Sequence, residues 1–330
     1  MSITLISTVL NEGNTIHHMM RGLLQQTRQP DEILIVDGGS RDDTVAIINS
    51  YAEQLPVRVL VRDGYNISQG RNLAIDEAQG EILVITDAGT RLDQHWLEAI
   101  TQPLLHDPAV TVVAGFFKAD PHNTFETAMG ATVLPVSNEI DPNSFLPSSR
   151  SLALRKTSAQ SINGYPEWLD YCEDLVFDLR LKQTQPPFVF APDALVYFRP
   201  RETLSAYFIQ YYRYARGDGK ANLWRKRHLI RYLTYLVLAP LLVILALNVH
   251  PIFWGVLALG AVVYLYQPYR RLPIVMRDNP ERSPLAWVIA CVLIPIIRVV
   301  GDVAKMIGYP VGLYWRAQHK PPQWQQISTP

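Results

Sequence analysis

Four stretches of the 330-residue chain put side chains capable of chemistry where the backbone is expected to change direction. Ile35-Val36-Asp37-Gly38-Gly39-Ser40-Arg41-Asp42-Asp43-Thr44 reads as a strand, a glycine turn and a helix start. Glycine lets the backbone approach a ligand closely, and Asp37 at the strand tip can accept hydrogen bonds from a base or a ribose. The same letters also fit an ordinary turn in which Asp42 or Asp43 caps the helix. Ile85-Thr86-Asp87-Ala88-Gly89-Thr90 ends a second apolar run. Asp87 there can hold a divalent cation, since Mg²⁺ is usually bound by one or two carboxylates with substrate phosphates and water. It can instead contact a ribose, or simply face solvent. Tyr171-Cys172-Glu173-Asp174-Leu175 sets Asp174 at an expected helix N-terminus, where the dipole favours the ionised form. A carboxylate so placed can act as a general base, or merely cap the helix. Gln210, Arg213 and Arg216 recur at i, i+3 and i+6, with Arg199 and Arg201 before them. Guanidinium pairs bidentately with phosphate oxygens, which suits a diphosphate; a juxtamembrane basic patch meeting anionic lipid is the other reading.

The elements that would position these groups alternate between two periods. Ile3–Val9, Glu32–Val36, Val57–Val61 and Glu81–Thr86 are strand-like, and Asn14–Gln26, Asp42–Gln54, Gln69–Ala78 and Asp93–Leu105 have helical spacing. Alternating strands and helices imply a parallel sheet covered on both faces, and such sheets bind ligands at the carboxyl ends of their strands. Three of those ends carry polar clusters, Thr8–Asn14, Asp37–Asp43 and Asp87–Asp93. No G-x-G-x-x-G follows the first strand, and Gly217-Asp218-Gly219-Lys220 is followed by Ala221 and opens from no strand. A dinucleotide oxidoreductase and a P-loop ATPase are therefore disfavoured.

Composition changes near residue 230. From Tyr232 to Tyr269 there are 38 residues without Asp, Glu, Lys or Arg. A single span needs about 20 apolar residues, so two are expected, about Leu229–Val249 and Ile252–Tyr266, turning at Asn248, His250 and Pro251. Arginines precede and follow the pair, which predicts both basic ends on the cytoplasmic side of an inner (plasma) membrane. A third apolar run, Ser283–Ile297, either crosses or lies in the interface, with Arg298, Asp302 and Lys305 on one helical face. The overall charge balance hides a split. Residues 1–198 carry 13 Lys+Arg against 25 Asp+Glu, and residues 199–330 carry 17 against 5. A basic segment of that kind suits a membrane surface or phosphate groups; no nucleic acid partner is expected. With 48% hydrophobic residues the chain is not disordered. Two cysteines 119 positions apart suggest no disulfide framework and a reducing compartment. The N-terminus lacks a basic n-region, so no cleaved signal peptide is expected.

Together these residues resemble glycosyltransferase family 2, the inverting enzymes of the GT-A fold. The likeness covers about residues 1–220 through STVLNEGNTI, DGGSRDDT, GRNLAIDEAQGEILVITDAG and GYPEWLDYCEDLVFDLRL, in the family's order. It implies an α/β catalytic domain, residues 1–225, with a mixed, mostly parallel sheet, and a membrane-anchoring helical region, 226–330. It implies that Glu12 and Asp37 contact the nucleoside, with Thr8 and Arg71 facing the same pocket. Asp87 matches the first acidic position of the family's D-x-D metal motif. Glu173-Asp174 matches the E-D motif, with Asp174 as the base. Gln210 and Arg213 resemble the Q-x-x-R-W element, with Tyr214 in place of Trp.

The sequence departs from the pattern at two points. Gly89 stands where the second D-x-D carboxylate would be, and a histidine often found near Tyr197–Pro200 is missing, with Arg199 nearby. Either Asp87 alone anchors a phosphate-bound Mg²⁺ or Mn²⁺, or Arg199, Arg201 and Arg213 neutralise the leaving diphosphate. The expected partners are a nucleotide-sugar donor, a lipid-linked or glycan acceptor and the bilayer, with single-sugar transfer preferred over processive synthesis. A nucleotidyltransferase-like enzyme and a silent membrane scaffold of the same fold are the alternatives.

Overall fold

The computed structural model describes residues 1–327. By contact the described residues divide into two units, one made of residues 1–118, 137–198 and 322–327, the other of 119–136 and 199–321.

The first unit is built on strands β1 (Ile3–Val9), β2 (Glu32–Asp37), β3 (Val57–Val61), β4 (Ile82–Ile85), β5 (Thr90–Leu92), β6 (Val112–Ala119), β7 (Leu152–Arg155) and β8 (Val189–Phe198). They form one sheet in the order β3-β2-β1-β4-β7-β6-β8-β5. β1 pairs in parallel with β2 and β4, and β2 with β3. Those strands read as near-continuous apolar runs because both of their faces are covered; in β1 only Thr8 escapes full burial. Helices α1 (Ile16–Leu24), α2 (Thr44–Asn49), α3 (Ile67–Glu77), α4 (Trp96–His106), α6 (Lys156–Ser161) and α7 (Glu173–Thr184) cover it. The parallel half follows the alternation read from the sequence. Beyond β4 the sheet turns antiparallel, β7 pairing with both β4 and β6 and β5 with β8. Strands and helices still alternate along that half of the chain, but antiparallel neighbours need no crossover helix, so the alternation does not give its strand directions.

α3 starts at Asn66, whose side chain accepts from Gln69 N–H while Gln69 answers the Asn66 N–H. That reciprocal cap fixes the helix start. One turn on, Gly70 passes over the tip of β1, where an added Cβ would lie 2.9 Å from Thr8 Cγ2. The close approach brings the next residue, Arg71, over the carboxyl ends of the strands.

The second unit holds α5 (Thr124–Val133), α8 (Leu204–Ala221), α9 (Arg225–Leu233), α10 (Ala239–Asn248), α11 (Ile252–Val275) and α12 (Pro284–His319). α9 and α10 run through a π-helical turn, Thr234–Leu238, into one stretch. Pro240 has no N–H to give to the preceding turn, and a π turn absorbs such a gap. Three stretches are long and apolar enough to cross a membrane: Arg225–Asn248, Ile252–Asp278 and Pro284–His319. The two expected spans therefore appear, joined at residues 249–251. The third apolar run belongs to a single 36-residue helix, about 54 Å long at 1.5 Å per residue.

α8 and α12 meet backbone to backbone. An added Cβ would lie 2.2 Å from Tyr212 O at Gly308, 2.1 Å from Arg216 O at Gly312 and 2.3 Å from Tyr309 O at Gly219. Glycines four apart on α12 form the small-residue seam that lets helices pack this closely.

Candidate active site

In the first unit one arginine gathers the acids. Arg71 is 3% exposed. Its Nη2 donates to Asp87 Oδ1 at 2.8 Å and its Nη1 to Glu173 Oε1 at 3.0 Å. Burial works against its charge, but Tyr165, Asp87, Glu173 and Asp174 more than offset that, so Arg71 stays cationic. The guanidinium lies 5.0 Å from the centroid of Tyr165. That ring stacks on Phe177 of α7 at 3.9 Å, and its hydroxyl bonds Ser149 Oγ at 2.8 Å.

α7 supplies the remaining acids. Cys172, immediately before it, adopts the left-handed region at φ 67°. That conformation is costly for a non-glycine residue, and it aims the first turn of α7. Glu173 is buried and committed to Arg71. Burial, with the Asp174 charge beside it, pushes its carboxyl up to about 7. Asp174 is only half-buried; its Oδ2 accepts from Ser148 Oγ at 2.7 Å. One turn further, Asp178 is fully buried and accepts the Ser148 N–H at 3.1 Å. Burial and Asp174 hold it well above the usual carboxylate range, and its buried Oδ1 has no hydrogen-bond partner. α7 thus carries one acid kept toward its protonated form, one poised near neutrality, and the half-buried Asp174, which a ligand can reach.

Sequence reasoning missed three groups here. Arg150 brings Nε to 3.5 Å from Asp87 Oδ2 and packs 4.4 Å over the Phe198 ring. It reaches Asp87 because β7, just after it, lies antiparallel to β4, a pairing the residues around it do not announce. Ser148, at φ 58°, sits in an irregular stretch that carried no signal. Asp178 was the legible one, since it stands four residues after Asp174 on the same helical face.

Asp37 is fully buried at the end of β2, with β1 between it and β4. Its Oδ1 accepts Gly39 and Ser40 N–H and its Oδ2 the Ser40 hydroxyl. Among the described residues no hydrogen bond or ion pair joins it to Arg71, Asp87 or Asp174. Its turn is tied to the β1–α1 loop: Asn11 N–H donates to Ser40 Oγ, Glu12 N–H to Thr44 Oγ1 and Gly13 N–H to Asp42 Oδ2. Thr8 lies under Gly70, and Glu12 accepts from the Thr15 hydroxyl. These groups and the Arg71 cluster share the carboxyl edge of β2, β1 and β4, where parallel sheets bind ligands.

The other expected donor residues belong to the second unit. Arg199 forms a two-point pair with buried Glu126 and a third contact with Glu202 at 2.7 Å, so its charge is already matched by two carboxylates. Arg201 is exposed ahead of α8. Gln210 and Arg213 lie on α8, where Gln210 donates to the Tyr214 hydroxyl at 2.8 Å.

The donor set around Asp87 does not make a metal site held by protein alone. Both Asp87 oxygens face guanidinium groups, position 89 offers no ligand, and the described residues contain no group of three His, Cys, Asp or Glu able to hold an ion.

Residues 4–156 match the family described as Glycosyl transferase family 2. The chain is 24% identical over 229 residues to the O-antigen chain rhamnosyltransferase RfbN of Salmonella typhimurium, covering 63% of this chain and 71% of that one. It is 28% identical over 120 residues to the glycosyltransferase GlyG of Streptococcus pneumoniae, covering 36% of this chain and 40% of the relative's length. The fold matches that of the mannosyltransferase PcManGT of Pyrobaculum calidifontis, solved with GDP-Man and Mn²⁺, with a TM-score of 0.55 over 97% of this chain and 88% of that one at 16% identity. The chain carries a family 2 glycosyltransferase domain of the GT-A fold, and it is a glycosyltransferase.

Proposed function

We propose that the protein is a membrane-anchored inverting enzyme that moves one sugar from a nucleotide-diphosphate donor to a hydroxyl of a lipid-linked or glycan acceptor. The observation that carries this reading is Asp174, half-exposed at the start of α7 and next to the Arg71–Asp87–Glu173 network. The donor lies along the carboxyl edge of β2, β1 and β4, its nucleoside toward Thr8, Glu12 and Asp37 and its diphosphate toward Asp87. One relative is an O-antigen chain rhamnosyltransferase and the solved mannosyltransferase holds GDP-Man, which supports the donor and acceptor kinds.

Asp174 takes the proton of the acceptor hydroxyl as that oxygen attacks the anomeric carbon. The new carbon–oxygen bond forms on one face while the bond to the diphosphate breaks on the other, and the configuration inverts. Ser148 orients the Asp174 carboxylate. Arg71 holds Asp87 and Glu173 in place, and Arg150, on the other Asp87 oxygen, offers positive charge to the departing diphosphate, where it develops in the transition state; a divalent cation between Asp87 and the diphosphate would add charge at the same place.

Asp174→Asn tests the assignment. Turnover is expected to fall by about 10²–10⁴-fold, the usual worth of a general base, while calorimetry shows donor binding within about threefold of wild type. An unimpaired turnover removes Asp174 from the base role.

A further inference from the structure

The apolar helices of the second unit contain a polar cluster that sugar transfer does not use. Asp302 of α12 is 7% exposed. Its Oδ1 accepts Arg231 Nε at 2.8 Å, with Lys305 Nζ at 3.8 Å. Its Oδ2 accepts the Tyr264 hydroxyl at 2.6 Å and the Tyr235 hydroxyl at 3.2 Å. Both oxygens are therefore fully used. Arg298, one turn before Asp302, packs its guanidinium 4.9 Å from the Tyr264 ring, and its buried Nε has no hydrogen-bond partner. Lys305 has Asp302 as its one ion-pair partner, and it also lies 4.7 Å from the Tyr211 ring. The nearby second carboxylate, Asp218, is bonded by His228 Nε2 at 3.1 Å. Arg231 and Lys305 thus share Asp302, and among the described residues Arg298 has no carboxylate within ion-pair distance.

Position adds the second argument. Arg231 immediately precedes the long uncharged stretch, and Arg298 is the first charge after the apolar start of α12. The cluster therefore stands where apolar helix gives way to basic flank, the depth at which lipid phosphates lie. Excess positive charge among apolar helices is costly unless an anion answers it, and guanidinium matches phosphate oxygens bidentately. The rings of Tyr264 and Tyr211, against Arg298 and Lys305, suit the upper part of a hydrocarbon chain.

We propose that Arg298 and Lys305, steadied by Asp302 and Arg231, form a binding site for the phosphate or diphosphate of a lipid. This rests on reading the three helices as membrane-spanning and not on the role of Asp174, so donor binding and the Asp174→Asn result stand apart from its test.

The test uses the full chain in detergent, with farnesyl diphosphate as the probe. Farnesyl diphosphate is expected to bind about tenfold or more tighter than farnesol, and R298Q/K305Q to weaken it about tenfold. R298K retains most of the affinity, and the thermal midpoint and donor affinity of both variants stay at wild-type values. Two competitors distinguish the source of the phosphate. Phosphatidylglycerol micelles that displace the probe as well as unlabelled farnesyl diphosphate does assign the site to bulk lipid headgroups. Failure of those micelles assigns it to an isoprenoid diphosphate. Either result keeps a lipid phosphate in the site. Inorganic pyrophosphate binding as tightly as the probe, or probe affinity unchanged in R298Q/K305Q, overturns the proposal.

Discussion

Glu173 shows how one residue's surroundings set a measurable property of the enzyme. Its carboxyl is raised to about 7 by burial and by Asp174, so below that pH it is neutral and its ion pair with Arg71 is lost. Turnover is expected to climb as pH rises through about 7, and Glu173→Gln, which cannot ionise, to lack that step in a kcat/KM profile. The linkage has a definite sign. The folded chain holds this proton more tightly than the unfolded chain, whose glutamates titrate near 4.5. Stability from this group is complete below that value and declines as pH rises toward 7. Gly89 allows a second test. An added Cβ there meets nothing within 4 Å, so Gly89→Asp should fold normally and provide the carboxylate that Asp87 lacks. Calorimetry is expected to show Mn²⁺ binding, in the presence of nucleoside diphosphate, about tenfold tighter than in wild type. The acids themselves were legible in the sequence, because Asp87 and Glu173-Asp174 stand at strand and helix ends. Arg150 was not, because its distance to Asp87 is set by a strand pairing between segments about 70 residues apart.

At the level of elements, the parallel half of the sheet and the membrane hairpin were readable, each from its own periodicity. Ile3–Val9 and the first parallel strands declare themselves as apolar runs between helical stretches. The antiparallel strands did not, although helices stand before and after β6 and β8 in the chain, because alternation with helices does not fix a strand's direction or its neighbours. The third apolar run was read as 15 residues, and the helix continues to His319 with its second half packed on α8. The glycine seam is the reason that half packs so closely. Gly308→Leu, whose side chain would meet Tyr212 O, must push the helices apart. Overpacking of this kind costs about 1–3 kcal/mol, expected as a lower thermal midpoint of the detergent-solubilised protein. Gly255→Leu on α11, where an added Cβ meets nothing within 4 Å, serves as the control and should leave the midpoint in place.

For the molecule as a whole, the charge split has a direct reading. The acidic sequence holds the sugar-transfer unit's carboxylates, and the basic sequence holds the helices long enough to span a bilayer. Arginines flank both ends of the Arg225–Asp278 hairpin while its turn is free of formal charge, so the turn is expected on the side away from the cytoplasm. A reporter enzyme inserted after Asn248 should be active only when its own chemistry works outside the cytoplasm; a cytoplasmic signal reverses the topology. The α8–α12 seam also bears on how the protein tolerates extraction. Backbone held against backbone needs no hydrocarbon around it, whereas the most apolar part of each hairpin helix turns nearly all of its side chains outward. As native lipid is stripped away, the hairpin will lose its shape first, and the seam will persist as the last ordered piece of the anchor.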